Sequence, residues 1–279
     1  MQYNEFKPHH SLSAFIECYW TAYSDKPPFQ EIESLIPDGT IELMFNFGDD
    51  YSQIRQGQKE LVNGSHIIGI RKTSLQISQT SMQNFFSIRF KPGGIYPFFK
   101  EPVHEYANAF NPLEEILGNT YKQTEMQLQE ATSVTEQISI IENWLFKRFN
   151  TSKEYQFVAN GIKELLNLNE LSVKLLVKRM GSNYKTIERK FKQVMGLSPS
   201  EFIKIKRFNQ AVLAMYACRF NSLTQIAYET GYYDQSHFIR EFKDLTNFTP
   251  RDFLKEQFTI VKVIQPALAT RMSKSYNLA

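Results

Sequence analysis

Hydrophobic and polar positions alternate with the period of a β-strand in the first third of the chain. The clearest case is the segment 41–47, IELMFNF, where every second residue from Ile41 to Phe47 is large and apolar. This period of two predicts a strand with one buried face. Its other face would carry the intervening residues Glu42, Met44 and Asn46.

Further strands are predicted near residues 67–70, 75–77 and 85–90, and the polar stretch 53–59 suits the tip of a hairpin. Several short strands separated by turns favour a sandwich or barrel. A helix is predicted near Ser11–Tyr19, because one helical face there would carry the apolar residues Leu12, Phe15, Ile16 and Tyr19.

The period changes to that of a helix in the middle of the chain. Ile138, Ile141, Leu145 and Phe149 recur at helical spacing, so residues 135–149 predict an amphipathic helix. Its apolar stripe could pair with a copy in a second subunit or lie on its own chain. Barely two heptads are present, which favours packing on its own chain.

A twelve-residue phrase occurs twice in the last part of the chain. Residues 191–202 and 242–253 share their pattern from Phe191 and Phe242 onward, and the same offset of 51 positions relates Arg189 to Arg240. One supersecondary unit has therefore been used twice.

The first copy ends a segment with the pattern helix, turn, helix. A helix is predicted near Tyr155–Leu166, a short helix begins near Leu171, and Gly181 supplies the turn. Ser182 is expected to cap the next helix. In that helix Ile187, Phe191 and Val194 would point inward, which leaves Lys185, Glu188 and Arg189 outside.

The second copy has the same plan. Ser222 begins a capping box, Gly231 makes the turn and Asp234 caps the next helix. Its outward, N-terminal part carries Gln235, Ser236, His237 and Arg240. Between the units, residues 202–220 predict a long helix that could hold them at a fixed separation.

The outward residue types are those that recognise base edges in a DNA major groove. Arg and Lys can donate to guanine O6 and N7, Gln can read adenine and Glu can accept from cytosine N4. Two such helices on a rigid connector could meet successive groove faces about one turn, or ~34 Å, apart. The candidate DNA-binding residues are therefore Lys185, Glu188, Arg189, Gln235, Ser236, His237 and Arg240.

Charge divides the chain in the same way. Residues 1–150 contain 12 Lys or Arg and 18 Asp or Glu, whereas residues 151–256 contain 17 and 11. An acidic first half and a basic second half predict that only the second half meets a polyanion.

The remaining composition excludes several classes of protein. No apolar run approaches the ~20 residues of a membrane helix, and no signal peptide is visible at the start, so membrane association is not expected. Cys18 and Cys218 suit a reducing cytosol and buried positions better than a disulfide scaffold.

No assembled catalytic site is visible in the sequence. Gly-rich phosphate loops, serine elbows and paired carboxylates are missing, and the spacing of His66 and His104 does not suit a metal site. We therefore expect no catalytic residues, no metal and no cofactor. Arg89 could line a pocket, although an ordinary surface or salt-bridged role is favoured.

The segment 231–243, GYYDQSHFIREFK, followed by Thr249-Pro250, closely resembles the signature of AraC/XylS-type bacterial transcription regulators. Ile226-Ala227 and residues 196–199, GLSP, also match. The resemblance covers about residues 155–256 and implies a seven-helix domain that reads DNA with helices at about 183–194 and 235–245. It also implies double-stranded DNA and RNA polymerase as partners.

The first half resembles an uncharacterised sensor-type domain, on residues 36–43, IPDGTIEL, and 89–94, RFKPGG. This implies a ligand-sensing or dimerising role without identifying an effector. An alternative is a catalytic or protein-interaction module fused to a DNA-binding domain.

The expected fold is α+β, with a β-rich sandwich or barrel-like domain, a linker helix and an all-α domain with two helix-turn-helix units. The expected boundaries are 1–118 for the sensor, 119–153 for a helical linker with possible dimerisation, 154–257 for the DNA-binding domain and 258–279 for a strand-like or loose tail. We expect a cytoplasmic transcription regulator, possible homodimer formation and control by a small-molecule effector or a partner. Activation and repression are both open.

Overall fold

The computed structural model describes residues 2–26, 32–99, 101–167, 172–217 and 222–256. The described strands are β1 (Gln2–Phe6), β2 (Ile16–Ser24), β3 (Ile32–Leu35), β4 (Ile41–Asn46), β5 (Tyr51–Arg55), β6 (Gln58–Val62), β7 (His66–Ile68), β8 (Leu75–Ser78), β9 (Gln83–Phe90) and β10 (Phe110–Pro112). The described helices are α1 (Tyr96–Phe99), α2 (Leu113–Leu117), α3 (Lys122–Glu130), α4 (Val134–Arg148), α5 (Lys153–Leu166), α6 (Val173–Met180), α7 (Tyr184–Met195), α8 (Pro199–Tyr216), α9 (Leu223–Glu229), α10 (Gln235–Thr246) and α11 (Pro250–Glu256). The predicted α+β order, β-rich first and all-helical afterwards, is confirmed.

The strands of the β-rich domain (residues 2–112) pair into two antiparallel sheets within the described residues. One has the order β1-β2-β9-β4-β7-β10 and the other β3-β8-β5-β6. A hydrophobic cluster draws Trp20 and Met44 from the first sheet and Tyr51 and Ile77 from the second, so it lies between the sheets. The predicted hairpin tip is also confirmed, because β5 and β6 pair on either side of residues 56–57.

Strand β4 lies inside the six-stranded sheet, and the prediction of a single buried face is wrong. Glu42 and Met44 are buried like Ile41 and Leu43, since the second sheet covers one face and helices cover the other. Burial of Glu42 is offset by hydrogen bonds. Its carboxylate accepts from Trp20 Nε1 at 2.8 Å and from Arg89 Nε at 3.0 Å.

Arg89 is ion-paired, as favoured, but it lies in the interior and not on the surface. Its side chain is 1% exposed and contacts Glu42 and, at 3.3 Å, Glu5. Two carboxylates around one guanidinium satisfy a charge that would otherwise be costly to bury.

The helix predicted at residues 11–19 is wrong. A 3-10 turn at His10–Leu12 leads into β2, which pairs with β1 and β9 and has a register shift between Ile16 and Cys18. The predicted apolar face is nevertheless buried, with Leu12, Ile16 and Tyr19 all in one core cluster. The turn and the bulge bring residues of helical spacing to the same side without a helix.

Helix α4 forms as predicted and packs its apolar stripe on its own chain. Ile141 and Leu145 are fully buried, and the Trp144 ring lies 5.9 Å from that of Phe99. Pairing of this region with a second copy stays a prediction.

The largest core cluster joins the β-rich domain to the first helices of the helical part. It runs from Leu43 and Phe90 through Leu145 to Leu176 and Phe191, whereas α8–α11 have a second cluster around Phe208 and Phe242. Cys18 is buried, as expected, and burial raises the pKa of its thiol to about 12. Cys218 and the predicted tail lie outside the described residues.

Candidate nucleic-acid interface

The first helix-turn-helix unit consists of α6 and α7. Gly181 ends α6 in the left-handed region, with φ 57°, and Ile187, Phe191 and Val194 point into the core as predicted. The expectation that Ser182 caps α7 is wrong: the side chain of Asn183 accepts from the Thr186 N–H at 2.9 Å. The sequence held a signal for this, because the repeat offset relates Asn183 to Asp234.

The second unit consists of α9 and α10. The predicted cap at Asp234 is confirmed, and of the predicted capping box the structure shows the Ser222 half. Ser222 accepts from the Gln225 N–H at 3.2 Å, and Asp234 accepts from the His237 N–H at 2.7 Å. Phe238, Phe242 and Leu245 are buried. The cap therefore fixes the residue at which α10 begins, and its outward residues start from a defined position.

Helices α7 and α10, the second helices of the two units, end in the same way. Gly196 and Asn247, related by the repeat offset, both adopt the left-handed region with φ 80° and 66°. Their N–H groups donate to the carbonyls of Lys192 and Lys243, which closes each helix. The repeated phrase thus encodes the same helix end twice.

The predicted site residues lie on the free sides of α7 and α10. Exposed side chains belong to Lys185, Arg189, Ser236 and Arg240, and half-buried ones to Glu188, Gln235 and His237. Glu188 forms an ion pair with Lys192 at 2.9 Å, within its own helix. A hydrogen bond from a base to Glu188 would therefore compete with the ion pair between Glu188 and Lys192.

His237 packs on its own helix-turn-helix unit. Its ring meets Tyr232 edge-on, with centroids 5.5 Å apart, and its Nε2 lies 3.7 Å from Glu241 Oε2. The imidazole remains 36% exposed, which leaves part of the ring accessible to a ligand.

A cluster around Arg207 fastens the second unit to α8, and the sequence patterns gave no signal for it. Arg207 Nη2 contacts both Glu241 oxygens at 2.8 and 2.7 Å, and its guanidinium lies 4.3 Å from the Tyr232 ring centroid. It also donates to the Gly231 carbonyl at 3.3 Å. The turn and the recognition helix are thereby tied to one side chain.

The β-rich domain contacts the helical part at positions away from the candidate DNA-binding residues. Gln193 Nε2 of α7 donates to Tyr96 OH at 2.8 Å, and Lys72 forms a 3.0 Å ion pair with Glu201 of α8. The Ser74 N–H donates to the Leu245 carbonyl, in the last turn of α10, at 2.7 Å. These contacts involve the C-terminal parts of α7 and α10 and leave their N-terminal parts free.

The described residues hold neither a cluster of metal-ligating side chains nor a membrane-spanning helix. These residues contain no group of three His, Cys, Asp or Glu side chains that could hold a metal ion. No helix in the same ranges is both long and apolar enough to cross a membrane.

Two parts of the chain match known protein families. Residues 176–256 match the model of a helix-turn-helix domain family, and residues 4–112 match a domain of unknown function, DUF6597. A comparison with curated proteins finds no match.

Among solved structures, the chain is similar to ToxT from Vibrio cholerae. In a 1.65 Å structure the identity is 15%, with 85% of this chain and 97% of that chain covered and a TM-score of 0.44. In a structure of wild-type ToxT bound to an unsaturated fatty acid the identity is 14%, with 85% and 94% covered and a TM-score of 0.42.

Proposed function

We propose that the chain is an AraC-type helix-turn-helix DNA-binding transcription regulator in which α7 and α10 read two successive major-groove segments of one duplex. The match of residues 176–256 to a helix-turn-helix domain family supports this proposal. The observation that carries the proposal is the repeated recognition helix. Each copy is capped at its start, buried along one side, and exposed where Arg189 and Arg240 project. Helix α8 connects the two copies without a break between Pro199 and Tyr216.

Within this proposal the site residues have different roles. Lys185, Arg189 and Arg240 are the exposed cations that donate to guanine or phosphate, and Gln235 and Ser236 begin α10 where it enters the groove. Glu188 and His237, which have partners of their own, contribute after rearrangement. Phosphate contacts set register and salt dependence, and base contacts set sequence choice.

The β-rich domain is proposed to control DNA binding through its contacts with α7, α8 and α10. Because Tyr96, Lys72 and Ser74 reach all three helices, a shift of this domain would change the mutual placement of the recognition helices. We propose an effector of small-molecule type, or a partner, as the cause of such a shift. We also propose homodimer formation, contact with RNA polymerase, a cytoplasmic location and domain boundaries at residues 118, 153 and 257.

In-vitro selection of random duplex DNA by the full-length protein, at near-physiological salt, tests the two-segment proposal. We expect two short motifs about one helical turn apart. A doubled pattern would indicate a dimer. A single enriched motif would contradict readout by both units, and no enrichment by the full-length wild type would contradict sequence-specific binding.

Control by the β-rich domain is tested by Lys72→Glu in the full-length protein. The new carboxylate repels Glu201, so we expect faster hydrogen exchange of the Ser74 amide and an affinity for the selected duplex lower by about fivefold. Lys122→Glu is the matched control, because Lys122 pairs with Glu114 on an exposed surface away from these contacts. Faster exchange with unchanged affinity would show that docking does not control binding.

A further inference from the structure

Residues 36–40 of the β-rich domain lie against α8 and the second helix-turn-helix unit. The Ile36 side chain is buried in the cluster that α8–α11 form around Phe208. Gly39 has φ 78°, and a Cβ atom at this residue would lie 3.9 Å from Ile205 Cγ2 of α8, so the turn packs against that helix. The stretch IPDGTIEL, which marks the resemblance to a sensor-type domain, thus begins with a contact to the helical part.

A second segment of the β-rich domain, residues 71–74, lies against the same helices. Lys72 Nζ forms an ion pair with Glu201 Oε1 of α8 at 3.0 Å. The Ser74 N–H donates to the Leu245 carbonyl of α10 at 2.7 Å. This segment therefore contacts both the connecting helix and the recognition helix of the second unit.

The side chain of Arg71 joins these two docking segments, 36–40 and 71–74. Its Nε donates to the Ile36 carbonyl at 3.1 Å, and its Nη2 donates to Asp38 Oδ1 at 2.7 Å. The side chains of Arg71 and Asp38 are only 4% and 3% exposed. A buried ion pair depends on good geometry and on hydrogen bonds that satisfy both partners. The guanidinium of Arg71 therefore holds the two docking segments in one arrangement.

We propose that Arg71 is a positioning residue: by joining the docking segments it fixes the second unit on the β-rich domain and so sets the placement of α10 relative to α7. The inference rests on the proposed function, in which both helices read one duplex. Helix α7 shares a core with the β-rich domain, so a firm contact between this domain and α10 places both recognition helices in one frame.

The docked arrangement leaves the DNA-reading part of α10 free. Docking reaches Leu245 in the last turn of the helix, whereas Gln235 begins its first turn. Docking is therefore compatible with DNA binding. It also lowers the entropy that is lost when both recognition helices engage one duplex.

A fixed placement of two recognition helices predicts a strict spacing between the two DNA motifs. One added base pair moves the second motif by about 3.4 Å along the duplex and turns it by about 34°. A firmly docked α10 cannot follow this change without breaking its contacts with the β-rich domain. A loosely docked α10 can follow it, so the loss of Arg71 should relax the spacing.

The test compares the full-length wild type with Arg71→Lys on duplexes that carry the two selected motifs at the selected spacing or one base pair closer or farther apart. A lysine keeps the charge beside Asp38 but lacks the fork of donors that reaches the Ile36 carbonyl as well. We expect the preference for the selected spacing to fall by about fivefold, with unchanged affinity for a duplex that carries one motif. Hydrogen exchange should become faster in α10 and α11 and stay unchanged in α7.

Arg89→Lys is the matched control. Arg89 is an equally buried arginine of the same domain, and its partners Glu42 and Glu5 belong to the sheet strands β4 and β1. This variant should change neither the spacing preference nor the exchange of α10. If Arg71→Lys does not fold, Ile36→Ala shortens the apolar contact with the second cluster and should give the same two changes as expected for Arg71→Lys.

An unchanged spacing preference in Arg71→Lys would overturn the proposal while readout by both units stands, even if exchange in α10 becomes faster. An equal loss of spacing preference in Arg89→Lys would also overturn it, because the effect would then be a general weakening of the β-rich domain. If the wild type enriches fewer than two motifs, the two-segment readout fails and the positioning role fails with it. Faster exchange of α10 in Arg71→Lys alone would in that case still assign Arg71 to docking.

Discussion

Arg189 and Arg240 hold the same place in the two repeated units, and both project from the exposed side of a recognition helix. Neither side chain has an ion-pair partner among the described residues. Arginine's planar set of donors matches the O6 and N7 acceptors of guanine. Among the candidate residues, these two arginines therefore have the most hydrogen-bond donors available to contact DNA.

Replacing Arg240 by Ala should weaken binding to the selected duplex by about 1–3 kcal/mol and relax the preference at one base pair. Fluorescence titration against cognate duplexes with each base at that pair gives the measurement. Arg55→Ala, an exposed arginine at the end of β5, is the matched control and should change nothing. Equal losses on cognate and random DNA would show that Arg240 touches only phosphate.

His66 is a buried residue whose effect falls on stability and not on DNA. It is fully buried, with ring nitrogens 2.6 Å from Tyr51 OH and 2.8 Å from the Gly64 carbonyl. Burial lowers its pKa from 6.5 to about 4, although the Gly64 carbonyl acts in the opposite direction.

Stability should consequently fall as the pH is lowered from 6.5 to 4. In that window the unfolded chain binds a proton at His66 and the folded chain does not, so each pH unit costs about 1.4 kcal/mol, or about 3 kcal/mol over the range. Above pH 6.5 this residue contributes no pH dependence. Urea unfolding at several pH values measures the slope, which His66→Gln should reduce; an equal slope in that variant would contradict the assignment.

At the scale of elements, the two helix-turn-helix units have the same order of helices and turn, but different side-chain contacts attach their second helices to the rest of the protein. In the second unit Glu241 of α10 is held by Arg207 of α8, whereas the offset places Lys190 at the equivalent position of the first. Lys190 lies over the Phe157 ring, 4.5 Å from its centroid. A buried ion pair thus anchors one recognition helix, and aromatic packing supports the other.

Glu241→Gln should therefore destabilise the protein by about 3 kcal/mol, because the Arg207 charge loses its partner in a largely buried place. The equivalent change Lys190→Ala should cost less than about 1 kcal/mol, the range of an exposed cation–π contact. Urea denaturation of both variants gives the free energies of unfolding. Similar decreases in the free energy of unfolding of the two variants would show that the two contacts stabilise their units equally.

At the scale of the whole molecule, the core clusters do not follow the division into a β-rich and a helical part. The first unit shares a cluster with the β-rich domain, whereas the second has its own around Phe208, with Ile36 as a contribution from the β-rich domain. Helix α7 therefore packs in a core that it shares with the β-rich domain, whereas α10 packs in a separate cluster.

Phe253→Ala, in the second cluster, should cost about 3–5 kcal/mol and speed hydrogen exchange in α8–α11 alone. Leu145→Ala, in the first cluster, should cost about 2–5 kcal/mol and speed exchange in both the β-rich domain and α5–α7. Exchange followed by mass spectrometry distinguishes the two patterns. Uniform acceleration by Phe253→Ala would mean that the molecule opens as one unit.

Much of this structure could be predicted, because the relevant signals are local. The strands at 75–78 and 83–90, the helix at 134–148 and the paired recognition helices follow from period and turn chemistry within short windows. The prediction of a helix at residues 11–19 was wrong, because a 3-10 turn and a β-bulge bring residues at helical spacing to the same side of the chain. The cap at Asn183 was missed because Ser182 and Asn183 are both good capping residues, and only the repeat separates them.

By itself the sequence determined the order of the two parts, the duplicated unit, and the outward residues of α7 and α10, because each of these depends on neighbours along the chain. Only the tertiary structure decided the partners of buried charges, such as Arg207 with Glu241 and Arg89 with Glu42. It also decided that Thr224 meets Gln235 and that Ser74 meets Leu245. Such pairs join residues that are distant in the sequence or lie on different elements, and no local period records which side chains packing brings together.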